Sequence, residues 1–129
     1  MPDPEAVTQG IRVRVRTEFR PDQSDLKSRR WFFAYTIRIS NEGAKTVQLL
    51  NRSWVITNAE GRVEFVQGAG VVGEQPVLEP GQSFEYTSGC PLGTPFGSMH
   101  GTYEMTTADG ERFEVRIPTF VLRLPGTMN

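Results

Sequence analysis

The sequence predicts an all-β fold, two antiparallel sheets packed as an immunoglobulin- or fibronectin type III-like β-sandwich of seven to eight strands. Three observations carry this. Apolar residues recur at every second position in run after run, the period of a half-buried strand. Thirteen glycines and nine prolines punctuate those runs, which suits many turns and few helices. Nowhere does an apolar period of 3.6 persist over a helix-length window.

The elements follow in order. Residues 1–9 are polar, carry two prolines and read as a disordered tail. Ile11, Val13, Val15 and Phe19 then share one face of a strand, with Arg12, Arg14 and Arg16 on the other. A charged loop runs from Arg20 to Arg30. Trp31, Phe33, Tyr35, Ile37 and Ile39 alternate next, and Asn41-Glu42-Gly43 ends them with a turn signal.

In the stretch from Val47 to Thr57 the parity changes: Val47 and Leu49 share a face, whereas Leu50, Trp54 and Ile56 share the other. A one-residue frame change flips every later side chain across the sheet, so a β-bulge is predicted near Leu50. Ala59-Glu60-Gly61 turns the chain into Val63 and Phe65. Gln67 to Gly81 reads as a long loop with a short edge strand at Val77-Leu78. Phe84 and Tyr86 restart the alternation, and Ser88 to Ser98 reads as a second loop. Met99, Gly101, Tyr103 and Met105 lead into Asp109-Gly110, the strongest hairpin signal of the chain. The return arm holds Phe113, Val115 and Ile117, then Phe120, Leu122 and Leu124 after a second parity slip at Pro118-Thr119. Residues 10–125 thus read as one domain, with 126–129 a C-terminal tail.

Composition bounds the function. The net charge is −1, which offers no global field toward nucleic acid or an anionic membrane. Cys90 is the only cysteine, so an intramolecular disulfide and a Cys-rich zinc site are excluded. No apolar stretch approaches the roughly 20 residues of a membrane span, and the opening residues lack the pattern of a secretory signal. The cytoplasm is the expected compartment, and no cofactor is implied.

The candidate sites are few. Gly68, Gly70 and Gly73 spell G-x-G-x-x-G, the spacing of a dinucleotide-binding turn. That chemistry needs a helix N-terminus behind the glycines, and Pro76 and Pro80 leave no room for one. A backbone nest for an anion such as pyrophosphate needs no helix and stays open. So does a purely conformational role for the glycines. Cys90, His100, Asp109 and Glu111 are the only metal-ligand types worth grouping. One histidine and one cysteine make no closed transition-metal site, and the parity of His100 points it to solvent. A weak hard-cation site built from carboxylates stays open. A single histidine and no nucleophile elbow leave no catalytic set. Arg12, Arg14 and Arg16 form a basic stripe that suits an acidic partner or simply keeps a sheet face solvated. Leu92 and Phe96, held among glycines and prolines, either cover an open end of the sandwich or form an exposed contact patch.

Six segments carry a family resemblance. They are Tyr35-Thr-Ile-Arg-Ile-Ser-Asn41, Gln48-Leu-Leu-Asn-Arg-Ser-Trp54, Gly68-Ala-Gly-Val-Val-Gly-Glu-Gln-Pro76, Leu78-Glu-Pro-Gly81, Gly97-Ser-Met-His-Gly-Thr-Tyr103 and Ile117-Pro-Thr-Phe120. In this order they resemble the signature blocks of the ApaG family, across roughly residues 11–125. The resemblance implies a fibronectin type III-like sandwich. It implies an association with cobalt resistance and magnesium efflux in bacteria, and a protein-binding role where the domain is appended to eukaryotic proteins. It brings no catalytic residues, and it attaches a pyrophosphate-binding proposal to Gly68, Gly70 and Gly73. The expectation is therefore a non-enzymatic module for an unidentified protein partner, with a divalent-cation or phosphate sensor as the alternative. Exposed sandwich edges would also permit a homodimer.

Overall fold

Alternation becomes strands wherever a turn signal bounds it. The computed structural model describes residues 2–125, which hold nine strands: β1 (Glu5–Thr8), β2 (Ile11–Phe19), β3 (Trp31–Asn41), β4 (Val47–Asn58), β5 (Val63–Ala69), β6 (Val77–Leu78), β7 (Ser83–Leu92), β8 (Phe96–Thr107) and β9 (Arg112–Arg123). They form two antiparallel sheets, ordered β1-β2-β3-β7 and β5-β4-β8-β9, with β6 also paired to β4. The two-sheet sandwich is as predicted, and its strand count is nine rather than seven or eight. Among the described residues no helix is long and apolar enough to cross a membrane.

The extra strand corrects the reading of residues 1–9. Glu5–Thr8 pairs along β2, Val7 opposite Arg12 and Glu5 opposite Arg14. A polar segment orders here because β2 offers it an unpaired edge, and Glu5 places a carboxylate between two arginines. The tail expected at 126–129 lies outside the described residues.

Two expected loops are also partly strand. Ser88 to Leu92 continues β7, pairing with β3 as far as Leu92 opposite Trp31. Pro91 is tolerated because β7 is a sheet edge, where a residue without an N–H breaks no ladder. Only residues 93–95 connect β7 to β8. Likewise β5 runs on to Ala69, pairing with Asn51.

The core forms between the inward rows of both sheets. Val13 and Val15 oppose Ile39 and Ile37, and Tyr103, Met105, Val115, Ile117, Phe120 and Leu122 face them from the other sheet, all buried. Each such aliphatic burial contributes about 1.5–3 kcal/mol. Tyr35, Trp54 and Phe120 meet as tilted and edge-on rings with centroids 5.4–5.8 Å apart. Both predicted parity slips are present. The register of β4 against β8 shifts between Leu49 and Asn51. In β9, Pro118 and Thr119 together lie opposite His100, between the pairs Gly101–Ile117 and Met99–Phe120. Buried Asn41 locks the β3–β4 turn, its amide donating to the carbonyls of Lys45 and Leu78 while its oxygen accepts from Gly43 N–H.

Candidate functional site

The bulge at Leu50 decides which side chains β4 shows on each face. Downstream of it Trp54 and Ile56 point into the sandwich, so Val55 and Thr57 point out. Register then assembles an outer surface strand by strand. Val63, Thr57, Ser98 and Val121 form one cross-strand row, and Phe65, Val55 and His100 form the next. Phe96 continues the face two residues before Ser98, opposite Arg123. Rows lie about 7 Å apart along the strands and neighbours about 5 Å across them, so these side chains are contiguous. Phe65 is 74% exposed, Phe96 53% and Val63 50%. Val63 and Phe65 lie on β5, Phe96 and Val121 on β8 and β9, and Thr57 and Ser98 lie between them. At the Phe96 end the face continues into an open groove of about 750 Å³, lined by Asn58, Pro95, Phe96, Val121 and Arg123 among others.

The turn that presents Phe96 is fixed from below. Thr94 is 3% exposed, and its hydroxyl donates to the Phe96 carbonyl at 2.7 Å and accepts from Ala59 N–H at 3.0 Å. Leu92, grouped with Phe96 in the sequence, is buried between the sheets. The two residues thus divide the alternatives: Leu92 belongs to the core and Phe96 to the surface.

The glycine motif closes a tight hairpin. Val71 and Glu74 exchange backbone hydrogen bonds at 2.8 and 2.9 Å around Val72 (φ 43°) and Gly73 (φ 81°), the geometry of a type I′ turn. Gly70 has φ 62°, and a Cβ there would lie 2.3 Å from the Glu74 carbonyl oxygen. Its N–H donates to Leu50 O. The amides of Gly70, Val71 and Glu74 are therefore engaged within the protein. Gly68 lies in β5 opposite Arg52, whose guanidinium occupies the space a Cβ would need, at 2.8–2.9 Å.

The basic stripe is mostly neutralised. Arg12 pairs with Glu5 and Glu42, and Arg14 pairs with Glu5. The hydrogen bond from Arg14, with the Arg12 charge, holds the Glu5 carboxyl below its ordinary value, and the bond from Arg12 does the same for Glu42. Arg16 is exposed on the same strand. The metal-ligand types do not converge. Cys90 faces the interior from β7, His100 is exposed on the outer face of β8, and Asp109 and Glu111 sit at the β8–β9 turn, each 3.9 Å from Lys45. Among the described residues no group of three or more His, Cys, Asp or Glu is placed to hold a metal.

Two features were missed in the sequence. Val63 and Phe65 alternate as a buried row would, yet they face outward, and it is Val66 that reaches the core. The other is Arg52. It shares the parity of Trp54 and Ile56 beyond the bulge, so that parity was the signal that it points inward.

Fold and surface together define a class: an antiparallel β-sandwich with exposed apolar side chains on the outer face of its five-stranded sheet. The family follows from comparison. The family model of the ApaG domain matches residues 21–107. Protein ApaG of Rhodospirillum centenum is 60% identical over 119 residues, 92% of each chain, and Protein ApaG of Anaeromyxobacter dehalogenans is 52% identical over 124 residues, 96% of this chain and 98% of that one. A crystal structure of a Bordetella pertussis protein described as ApaA superposes with a TM-score of 0.88 at 46% identity, covering 98% of this chain and all of that one. The chain belongs to the ApaG family.

Proposed function

We propose that the chain is a non-enzymatic binding module that engages a protein partner through the outer face of its five-stranded sheet. The observation that carries this reading is a single sheet face bearing exposed Val63 and Phe65 at one side and Phe96 and Val121 at the other, with Thr57 and Ser98 between them and Phe96 held in place by buried Thr94. Covering the exposed parts of Phe65 and Phe96, about 250 Å² of apolar surface, is worth up to ~6 kcal/mol of association. Ordering and polar desolvation at the interface offset a large share of that. Under this reading the family's association with cobalt resistance and magnesium efflux is exerted through the partner.

The test is affinity capture with three forms of the protein: wild type, the double variant Phe65→Asp/Phe96→Asp, and the control Arg38→Ala/Glu85→Ala. The control removes an exposed ion pair on the opposite sheet. A partner retained by wild type and control but lost from the aspartate variant is expected. Capture that the aspartate substitutions leave unchanged refutes the proposal. Sedimentation of the wild type and the aspartate variant distinguishes a second copy of the chain from a different protein.

A further inference from the structure

On the inner side of the same sheet, between edge strands β5 and β7, a cleft of about 250 Å³ opens into the sandwich. Its floor is apolar, built from Trp54, Ile56, Val66 and Met99, and Ser88 lines it together with buried Tyr35 and Cys90. Arg52 lines it too. Register places Arg52 between Gly68 and Tyr103 on the core-facing side of β4. Its charge acts on the phenols of Tyr35, Tyr86 and Tyr103.

The guanidinium is held but not neutralised. Its Nη1 donates to the carbonyls of Ala69 at 3.0 Å and Gly70 at 2.9 Å, and Gly68 lies against it. Among the described residues no carboxylate pairs with it, and the Nε–Nη2 edge carries no protein acceptor. A half-buried cation is costly without an anion, and that edge is the fork that takes a carboxylate through two parallel hydrogen bonds. Among the described residues the only other charge lining the cleft is negative: Glu64, on the inward side of β5, is about 13 Å along the strand from Gly68. One guanidinium and one carboxylate suit a singly charged ligand better than a multiply charged phosphate.

We infer that this cleft binds the carboxylate of a small organic acid or of a peptide C-terminus, with Arg52 as its fork and the apolar floor receiving the adjoining side chain. The hydroxyls of Tyr35 and Ser88, which hydrogen-bond each other, line the same cleft and offer the ligand's remaining polar atoms further partners. This site is independent of the outer face, which is formed by the opposite parity of the same strands.

The experiment is an NMR titration of ¹⁵N-labelled protein, followed at Arg52 Nε–H and at the amides of Ser88 to Cys90. The probes are 4-methylpentanoate, an alanyl-alanyl-leucine tripeptide, the same tripeptide with its C-terminus amidated, and inorganic phosphate. Saturable shifts with the acids, at least about tenfold weaker binding of the amide, and a similar loss in Arg52→Lys and Arg52→Gln are expected. A tripeptide that binds more tightly than 4-methylpentanoate identifies a peptide C-terminus; equal binding identifies a free acid. Amide binding as tight as the acid, phosphate binding tighter than either acid, or no saturable shift at about 10 mM probe overturns the inference. The acid–amide comparison uses the wild type, so it decides the matter even where an Arg52 variant does not fold.

Discussion

Replacing Tyr86 or Tyr103 by phenylalanine removes one hydroxyl from a pair buried between the two sheets. The two oxygens are 2.5 Å apart, Tyr103 has no exposed surface and Tyr86 retains 7%. Burial pushes both phenols above the ordinary tyrosine range, so each is neutral at physiological pH and the bond is one between neutral hydroxyls. Such a bond contributes about 1 kcal/mol, whereas a buried hydroxyl left without a partner costs about 1–3 kcal/mol. The single variants should therefore differ. Tyr86→Phe strands the hydroxyl of fully buried Tyr103 and should cost about 2–3 kcal/mol. Tyr103→Phe strands the hydroxyl of Tyr86, the partner that retains some exposed surface, and should cost less, about 1 kcal/mol. In the double variant nothing polar is stranded, so its loss should fall short of the summed single losses by at least about 1 kcal/mol. Urea unfolding of the four proteins measures the cycle. Additive losses, or a Tyr103→Phe cost exceeding that of Tyr86→Phe, would refute the reasoning.

The other expectations concern the glycine hairpin and the buried thiol. Gly70→Ala forces a Cβ against the Glu74 carbonyl at a positive φ and should cost about 2–4 kcal/mol. Gly68→Ala meets only the far end of the Arg52 side chain, whose bonds to the Ala69 and Gly70 carbonyls must readjust, and should cost about 1 kcal/mol, less than Gly70→Ala. Urea unfolding of both compares them, and equal losses would show that the motif's glycines are not distinguished by what surrounds them. Val72 is exposed, and its φ of 43° suits asparagine better than a β-branched residue. Val72→Asn should stabilise by about 1 kcal/mol, seen as a raised thermal midpoint. Cys90 is pushed up to about 11, by burial first and the Glu64 charge second. Against its ordinary value of 9.0, that shift alone slows native-state labelling at pH 8 by about 100-fold relative to urea-unfolded chain. A raised acid pKa leaves stability intact below the unfolded value and erodes it as pH rises toward the folded one. The thiol therefore destabilises the fold from about pH 9 to 11 and the phenols from about pH 10 upward. A thermal midpoint that is flat across that window would contradict this.

Most of the fold was legible because burial on one face leaves a two-residue period that survives in the sequence. The slips at Leu50 and Pro118-Thr119 were visible for the same reason, since a bulge must move the apolar residues from one parity to the other. β1 was not legible. Its order comes from an edge offered by β2 and from Glu5 meeting Arg12 and Arg14, and none of this is local to residues 5–8. The ends of β5 and β7 were hidden by glycine and proline, which usually signal loops but are tolerated in edge strands. The candidate site was less legible still. The alternation of Val63 and Phe65 is symmetric between a row facing the core and a row facing water, and only the register of β5 against β4, which sets Val66 beside inward Trp54, settles which it is.

A single inserted residue organises both surfaces. Without the bulge at Leu50 the parity of Val47 and Leu49 would continue down β4, leaving Trp54 in water and turning Ser53 and Val55 toward the core. The bulge restores Trp54 to the aromatic cluster with Tyr35 and Phe120. The same shift carries Arg52 inward and Val55 outward. Arg52 then needs space, which Gly68 supplies by lacking a side chain, and acceptors, which the carbonyls of Ala69 and Gly70 supply as the chain leaves β5. The first two glycines of the G-x-G-x-x-G spacing are thereby accounted for as neighbours of an inward arginine and of a type I′ turn. The third, Gly73, supplies the positive φ within that turn. None of the three glycines needs a nucleotide to explain it. The Arg52 guanidinium lies against the motif and lines the cleft between the sheets, while the outer face stays free to carry its apolar side chains.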